Sequence, residues 1–109
     1  DFLSLDNIEL IDGDYISTMS KDEDKSTYNF FSVLMDCDLY ESHKIALPFT
    51  WDRMSPGAFM FLDEYYSLKF PGAGIAINEF FKNKFSKPKV FDLYDGEFER
   101  WYIKKLDLK

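Results

Sequence analysis

The sequence is poor in the residues that build most catalytic and zinc sites. It contains one cysteine, Cys37, and one histidine, His43. A single cysteine excludes a disulfide within the chain and favours a reducing compartment. One cysteine and one histidine also fall short of the four nitrogen and sulfur ligands of a structural zinc site. Phosphate binding has little support either. Gly72-Ala73-Gly74 is not followed by the lysine and the serine or threonine that complete a phosphate-binding loop.

Long apolar runs are missing as well. No stretch approaches roughly 18–20 residues, the length that a membrane span needs. The first residues, Asp1–Asp6, have no basic start and no long apolar stretch, so no signal peptide is visible. These features predict a cytoplasmic protein that makes no membrane contact. With 46% hydrophobic and 19% aromatic residues, the chain can bury a core, and we expect a single domain over residues 1–109.

Negative charge is concentrated in the front of the chain. Residues 1–41 carry eleven acids and two bases (net −9), whereas residues 42–109 carry nine acids and eleven bases (net +2). An acidic half on an aromatic-rich domain favours a basic partner. The total of −7 disfavours nucleic acid as a ligand. We interpret the basic segment Lys82–Lys89 as the C-terminal end of a helix, where the helix dipole favours cations.

Three strands are predicted in the first half of the chain. Tyr15–Met19 and Tyr28–Met35 flank the charged stretch Lys21–Ser26, and Leu39–Leu47 alternates apolar and polar residues. A buried helix is the competing interpretation of Tyr28–Met35, since short apolar runs are ambiguous. Together the three segments predict a three-stranded antiparallel meander.

Helices and a hairpin are predicted in the second half. Ser55-Pro56 has the composition of a helix start, and Pro71-Gly72 is expected to stop that helix. A second helix is expected from Ile75 to about Phe85. Asp95-Gly96 suits a two-residue type I′ turn, which makes Lys89–Tyr94 and Glu97–Leu106 a hairpin.

The fold class that follows is α+β. We expect one antiparallel sheet, made of the meander and the C-terminal hairpin, with two helices packed on one face. A mostly-β barrel or sandwich is the alternative. At helical spacing, the side chains expected in the core are Phe61, Leu62, Phe81 and Phe85.

The single histidine and cysteine offer little chemistry in this pattern. We interpret His43 as a surface histidine on a half-exposed strand. Cys37 lies between Asp36 and Asp38, whose negative charges raise a thiol pKa and make a poor nucleophile. The spacing D-x-D occurs three times, but neither Asp22 nor Asp36 begins an EF-hand, so no metal ligand and no cofactor is expected.

One metal-dependent alternative rests on three residues. Asp14 followed by Glu23 and Lys25 resembles the metal-binding core of restriction-type nucleases, in which two carboxylates hold Mg²⁺ and the lysine supports the attacking water. The family places its E-x-K on an apolar strand, whereas Glu23 and Lys25 lie in the most polar stretch of this chain. We treat this nuclease as the least favoured interpretation.

The leading functional hypothesis is a small acidic protein-binding module and not an enzyme. It would act as an inhibitor or immunity-type protein that neutralises a basic partner, such as a nuclease toxin or a nucleic-acid-binding protein. The competing interpretation is that the acids only keep an aromatic-rich domain soluble. A subunit or accessory domain of a larger assembly is a further alternative, as is a homodimer that joins the acidic face to Lys82–Lys89. The residues expected to bind the partner are Asp22, Glu23, Asp24, Tyr28, Asp36, Asp38, Tyr40, Glu41 and Trp51.

Overall fold

The computed structural model describes residues 6–19, 28–92 and 100–107. Within these ranges the chain forms four strands and three helices. The strands are β1 (Phe30–Met35), β2 (Met54–Leu62), β3 (Lys89–Asp92) and β4 (Arg100–Lys104), and the helices are α1 (Tyr15–Thr18), α2 (Tyr40–Asp52) and α3 (Pro71–Phe80). No helix in the described ranges is both long and apolar enough to cross a membrane.

The sheet is mixed and open, with the strand order β1-β2-β4-β3. The pair β1 and β2 is parallel, whereas β4 runs antiparallel to both β2 and β3. The α+β class is therefore confirmed. The purely antiparallel sheet and the three-stranded meander are wrong, and an open sheet excludes the barrel alternative.

Helix α2 replaces the predicted strand Leu39–Leu47 for a topological reason. Two parallel neighbours cannot be joined by a tight turn, so a crossover must connect β1 to β2, and α2 supplies it. Its buried side chains Ala46, Leu47, Thr50 and Trp51 follow helical spacing. The spacing of Leu39, Ile45 and Leu47 also fits the two-residue period of a strand. The sequence alone therefore did not decide between a helix and a strand.

The predicted helix at Ser55-Pro56 is instead strand β2. Its buried residues alternate as a strand requires, with Ala58, Met60 and Leu62 turned to the core. In contrast, the strand prediction over Tyr28–Met35 is confirmed by β1. The strand prediction over Tyr15–Met19 is wrong, because Asp14 caps the short helix α1 by accepting a hydrogen bond from the Ser17 amide at 2.9 Å.

Helix α3 begins four residues earlier than predicted. Pro71 lies at its start, where the missing amide N–H costs no hydrogen bond. The proline that was predicted to end the preceding helix therefore begins α3. The C-terminal hairpin is confirmed by β3 and β4. The Asp95-Gly96 turn and the Lys21–Ser26 stretch lie outside the described residues.

The core lies between the sheet and the helices α2 and α3. Trp51 and Phe81 meet edge to face with ring centroids 4.9 Å apart, and both are fully buried with Met60 and Ile103. Of the predicted core residues, Leu62 and Phe81 are buried. The prediction is wrong for Phe61, which is 37% exposed, and for Phe85, which lies beyond the end of α3 and is 87% exposed.

Candidate functional site

Two carboxylates meet because of the register between β1 and β2. Met35 pairs with Leu62, and these are the last residues of the two parallel strands. The Asp63 amide continues the ladder by donating to the Met35 carbonyl at 3.1 Å. Asp36 and Asp63 are therefore neighbours at the carboxyl edge of the sheet, where open sheets with parallel strands bind their ligands.

A tight turn after β1 brings in a third carboxylate. Asp38 has a φ of +61°, a conformation that aspartate tolerates better than most residues. The Leu39 amide donates to the Cys37 carbonyl at 2.6 Å, so Asp38 is the centre of a three-residue turn that leads into α2. One oxygen each of Asp36, Asp38 and Asp63 lies within 4.8 Å of the others. These three residues are called the carboxylate cluster below.

The carboxylate cluster places three negatively charged groups close together. A hydrogen bond with Asp36 raises the pKa of Asp63 from 3.8 to about 6, with smaller contributions from burial and from the charges of Asp36 and Glu64. Like charges so close cannot all ionise without cost. Three carboxylate oxygens at this spacing are the hard ligands that Mg²⁺ and Ca²⁺ prefer, and a divalent cation would remove the repulsion.

An apolar groove approaches the carboxylate cluster through Tyr15. The groove has a volume of about 360 Å³ and lies between the segment Glu9–Met19 and the side chains of Phe30 and Phe49. The pKa of Tyr15 is raised, mainly by burial and then by the charges of Cys37, Asp36 and Asp38. One wall of the groove is thus close enough to sense the charge of the cluster.

Two further side chains near the cluster are the thiol of Cys37 and the imidazole of His43. Burial, followed by the charges of Asp38 and Asp36, raises the pKa of Cys37 to about 11, which is the direction that the neighbouring acids predicted. His43 is buried on α2 and is not the predicted surface histidine. Its Nδ1 lies 2.8 Å from the Leu39 carbonyl oxygen, and Nε2 has no hydrogen-bond partner among the described residues.

The first turn of α2 is locked against both ends of α3. The Tyr40 hydroxyl donates to Glu79 at 2.8 Å. A Cβ on Gly72 would lie 2.9 Å from the Tyr40 Cβ, and one on Gly74 would lie 2.6 Å from the Tyr65 carbonyl oxygen. These glycines allow the close approach that fixes α3 against α2 and against the loop that follows Asp63.

The structure separates the residues expected to bind a partner. Asp36 and Asp38 come together in the cluster, and Tyr40 binds Glu79.

The other predicted residues lie away from the cluster. The Tyr28 hydroxyl donates to Glu9 at 2.9 Å, and Glu41 is exposed in the first turn of α2. Trp51 is 0% exposed and belongs to the core. Asp22, Glu23 and Asp24, with the Lys25 of the nuclease pattern, lie outside the described residues.

Asp63 is the site residue that sequence reasoning missed. It follows an apolar stretch directly, as Asp36 does, and acids in that position are a signal for the carboxyl end of a strand. The signal was lost because Phe61 and Leu62 were assigned to a helix. Asp14, the acid of the nuclease pattern, caps α1 and is not part of the cluster.

The fold resembles that of a small-molecule methyltransferase. The apo structure of CalS11, a TDP-rhamnose 3′-O-methyltransferase and an enzyme in calicheamicin biosynthesis, matches 85% of this chain with a TM-score of 0.63 and 22% identity. A crystal structure of the same calicheamicin methyltransferase matches 72% with a TM-score of 0.60 and 24% identity. The chain spans only 36% and 30% of those chains. No family model and no curated protein matches the sequence.

This likeness corrects the leading hypothesis. Both solved structures that match are of an enzyme, which contradicts the interpretation as a toxin-neutralising inhibitor or immunity protein and the expectation of a non-enzyme. The physical reason is that a negative front half was interpreted as one surface. Asp36 and Asp38 instead converge on a small site, and Asp14 caps a helix.

Proposed function

We propose that this chain forms part of a small-molecule O-methyltransferase, with the carboxylate cluster in its active site. The observation that carries the proposal is the position of Asp36, Asp38 and Asp63 at the carboxyl ends of two parallel strands, in a fold similar to that of a sugar-nucleotide O-methyltransferase. Ligands bind at that edge in open α/β sheets.

Methyl transfer to a hydroxyl group sets clear demands on such a site. The hydroxyl oxygen forms a bond to the methyl carbon, the bond from that carbon to the sulfonium sulfur of the donor breaks, and the hydroxyl proton leaves. The site must therefore orient the hydroxyl and favour its deprotonation. A divalent cation bound by the carboxylate cluster would supply an electrophile that lowers the pKa of a coordinated hydroxyl.

The residues of the chain have distinct roles in this proposal. Asp36 and Asp63, fixed by the β1–β2 register, provide two oxygens of the cation site, and the turn at Asp38 provides the third. Tyr40 and Glu79 hold α2 against α3 and so keep that turn in place. The apolar groove beside Tyr15 has the size of a small-molecule pocket, and we assign it to the apolar part of a bound ligand.

Methyl transfer by the natural protein tests the proposal. The protein, expressed in its own host and purified without denaturation, is incubated with Mg²⁺ and S-adenosylmethionine carrying a radiolabelled methyl group. The acceptors are TDP-rhamnose and a panel of other hydroxyl-bearing small molecules. We expect labelled product with the wild type and a loss of at least about a hundredfold, the scale on which proton transfer contributes, with Asp63→Asn.

The control is Asp6→Asn, which removes an exposed acid outside the cluster and should leave the rate unchanged. Equal rates for Asp63→Asn and the wild type would remove the cluster from the active site. A natural protein that neither transfers the methyl group nor binds S-adenosylmethionine would overturn the proposed function itself.

A further inference from the structure

Three aromatic side chains meet at the carboxyl end of β2, beside the carboxylate cluster. Trp101 lies near the start of β4 and pairs with Leu62, the last residue of β2. The turn over residues 63–66 then brings Tyr65 and Tyr66 to the same place. The centroid of the Trp101 ring lies 4.9 Å from that of Tyr65 and 6.3 Å from that of Tyr66. The cluster thus has an aromatic neighbour on the side of β4, as it has the apolar groove on the side of β1.

The position of Trp101 is fixed through Tyr65 and α3. The Tyr65 hydroxyl donates to Asn78 Oδ1 at 2.7 Å, and a Cβ on Gly74 would lie 2.6 Å from the Tyr65 carbonyl oxygen. The Tyr65 ring meets the Trp101 ring at an angle of 56°, and both rings pack against the core. Trp101 is therefore held in place before a ligand binds, which lowers the entropic cost of binding.

Tyr66 has a different environment from Tyr65. Its side chain is 73% exposed, and its ring plane lies within 10° of the plane of the Trp101 ring. An exposed aromatic ring gives up the free energy that burial would provide. The two nearly parallel rings of Trp101 and Tyr66, called the aromatic platform below, offer flat apolar faces of one orientation. Such a surface is complementary to the flat face of a ring in a ligand.

The acids next to the aromatic platform discriminate between kinds of ring. Asp63 and Glu64 directly precede the two tyrosines in the sequence, and Asp63 belongs to the carboxylate cluster. Carboxylates accept hydrogen bonds from hydroxyl groups, but they repel phosphates. A saturated ring with C–H groups on its faces and hydroxyl groups along its rim satisfies both surfaces. A nucleotide that stacked there through its base would bring its phosphates toward two acids.

We propose that the aromatic platform is the subsite for a hydroxyl-bearing ring, such as a pyranose, of the methyl acceptor. One face of the ring stacks on Trp101 and Tyr66, and a hydroxyl group of its rim points toward Asp63. A β-turn keeps the Cα atoms of its first and fourth residues within about 7 Å, so a six-membered ring on Tyr66 reaches Asp63. The platform then determines which hydroxyl meets the cluster. The identity of the ring as methyl acceptor rests on the proposed function.

Protection of Trp101 from a quencher tests the subsite without a methyl donor. The natural protein, purified without denaturation, is titrated with acrylamide in the presence of Mg²⁺. The compounds added are the methyl pyranosides of glucose, galactose, mannose and rhamnose, and TDP is added separately. Trp51 is 0% exposed, whereas Trp101 is only partly buried. The quenching that disappears in Trp101→Phe belongs to Trp101. We expect a pyranoside to reduce that quenching and TDP to leave it unchanged.

Position 66 supplies variants that should keep the fold, because the side chain is exposed. Tyr66→Ala should weaken pyranoside binding at least about fivefold, the scale of one stacking contact, and Tyr66→Phe should keep the affinity because it keeps the ring. Leu68→Ala, at a position 97% exposed in the same loop, is the matched control and should change nothing. In the methyl-transfer assay, Tyr66→Ala should raise the KM of the acceptor and leave the KM of S-adenosylmethionine unchanged.

The outcomes separate the subsite from the proposed function. Pyranoside binding that requires the Tyr66 ring, in a protein that transfers no methyl group, would support the ring subsite and count against the enzyme. Methyl transfer with the same acceptor KM in Tyr66→Ala and the wild type would overturn the subsite alone. Protection of Trp101 by TDP and by none of the pyranosides would overturn the subsite, because the platform would then hold a base. Protection by none of these compounds would overturn it as well.

Discussion

Asp36 and Asp63 are 27 positions apart in the sequence and adjacent in space because Met35 pairs with Leu62. The pairing is parallel, so both acids emerge at the same edge of the sheet. Their hydrogen bond raises the pKa of Asp63 to about 6. A fold that keeps these acids together at a cost in stability is typical of a functional site, and this cost can be measured.

The first prediction concerns pH. Folding raises the pKa of Asp63 from 3.8 to about 6, so between these values the folded chain holds a proton that the unfolded chain has lost. The free energy of unfolding should therefore fall as the pH rises from about 4 to about 6. Because Asp63 is exposed, solvent screening limits the change to about 1 kcal/mol or less. Urea unfolding across this range should show the slope in the wild type, a flat profile in Asp63→Asn, and the wild-type slope in Asp6→Asn.

The second prediction concerns divalent cations. Mg²⁺, Ca²⁺ or Mn²⁺ should stabilise the fold by binding the carboxylate cluster, by about 2.7 kcal/mol at a hundred times the dissociation constant. Thermal unfolding with and without each cation measures the effect. Asp38→Asn should reduce it strongly, since it removes one of three ligands, and Asp6→Asn should not. A cation effect of the same size in Asp38→Asn and the wild type would mean that the ions bind elsewhere.

The third prediction concerns Lys105, a buried lysine directly after β4. Its Nζ donates to the carbonyl oxygens of Trp51 at 2.6 Å and Met54 at 2.8 Å and lies 5.2 Å from the centre of the Trp51 ring. Burial lowers its pKa. Lys105→Met should cost about 2–3 kcal/mol because the buried carbonyl groups of Trp51 and Met54 lose the hydrogen bonds that the lysine donates. Lys104→Met, at the exposed neighbouring position, should change the free energy of unfolding by less than about 0.5 kcal/mol.

The fourth prediction compares two phenylalanines of the same segment. Phe81 is 1% exposed against Trp51, whereas Phe85 is 87% exposed. Phe81→Ala should therefore cost about 3–5 kcal/mol, and Phe85→Ala should stay within about 0.5 kcal/mol of the wild type. Chemical denaturation of both variants checks this difference, and similar losses in the two would place Phe85 in the core after all.

The fifth prediction concerns Gly74 in α3. Helix propensity alone would make Gly74→Ala stabilising by about 1 kcal/mol. The new Cβ would lie 2.6 Å from the Tyr65 carbonyl oxygen, so we expect a loss of roughly 1–3 kcal/mol, as overpacking usually causes. A gain in the melting temperature would show that the loop after Asp63 can move away. Ile75→Ala, at an exposed position of the same helix, should be nearly neutral.

Features that depend on local chemistry could be predicted from the sequence. Asp95-Gly96 predicted a turn between Lys89–Tyr94 and Glu97–Leu106, and β3 pairs antiparallel with β4. The segment Tyr28–Met35 is apolar and was predicted as a strand, and it contains β1. The acids on both sides of Cys37 predicted a poor nucleophile, and its pKa is indeed raised, although burial is the larger cause.

The ambiguous segments became a helix or a strand according to how the strands pair in the folded chain. Leu39–Leu47 and the residues around Phe61 each fit both a strand and a helix, and pairing β1 in parallel with β2 requires the first to be a helix and the second a strand. That same pairing brings Asp63 to Asp36, a contact that no local pattern encodes. The charge asymmetry was in the sequence, but the register of two strands decided that part of it forms a site.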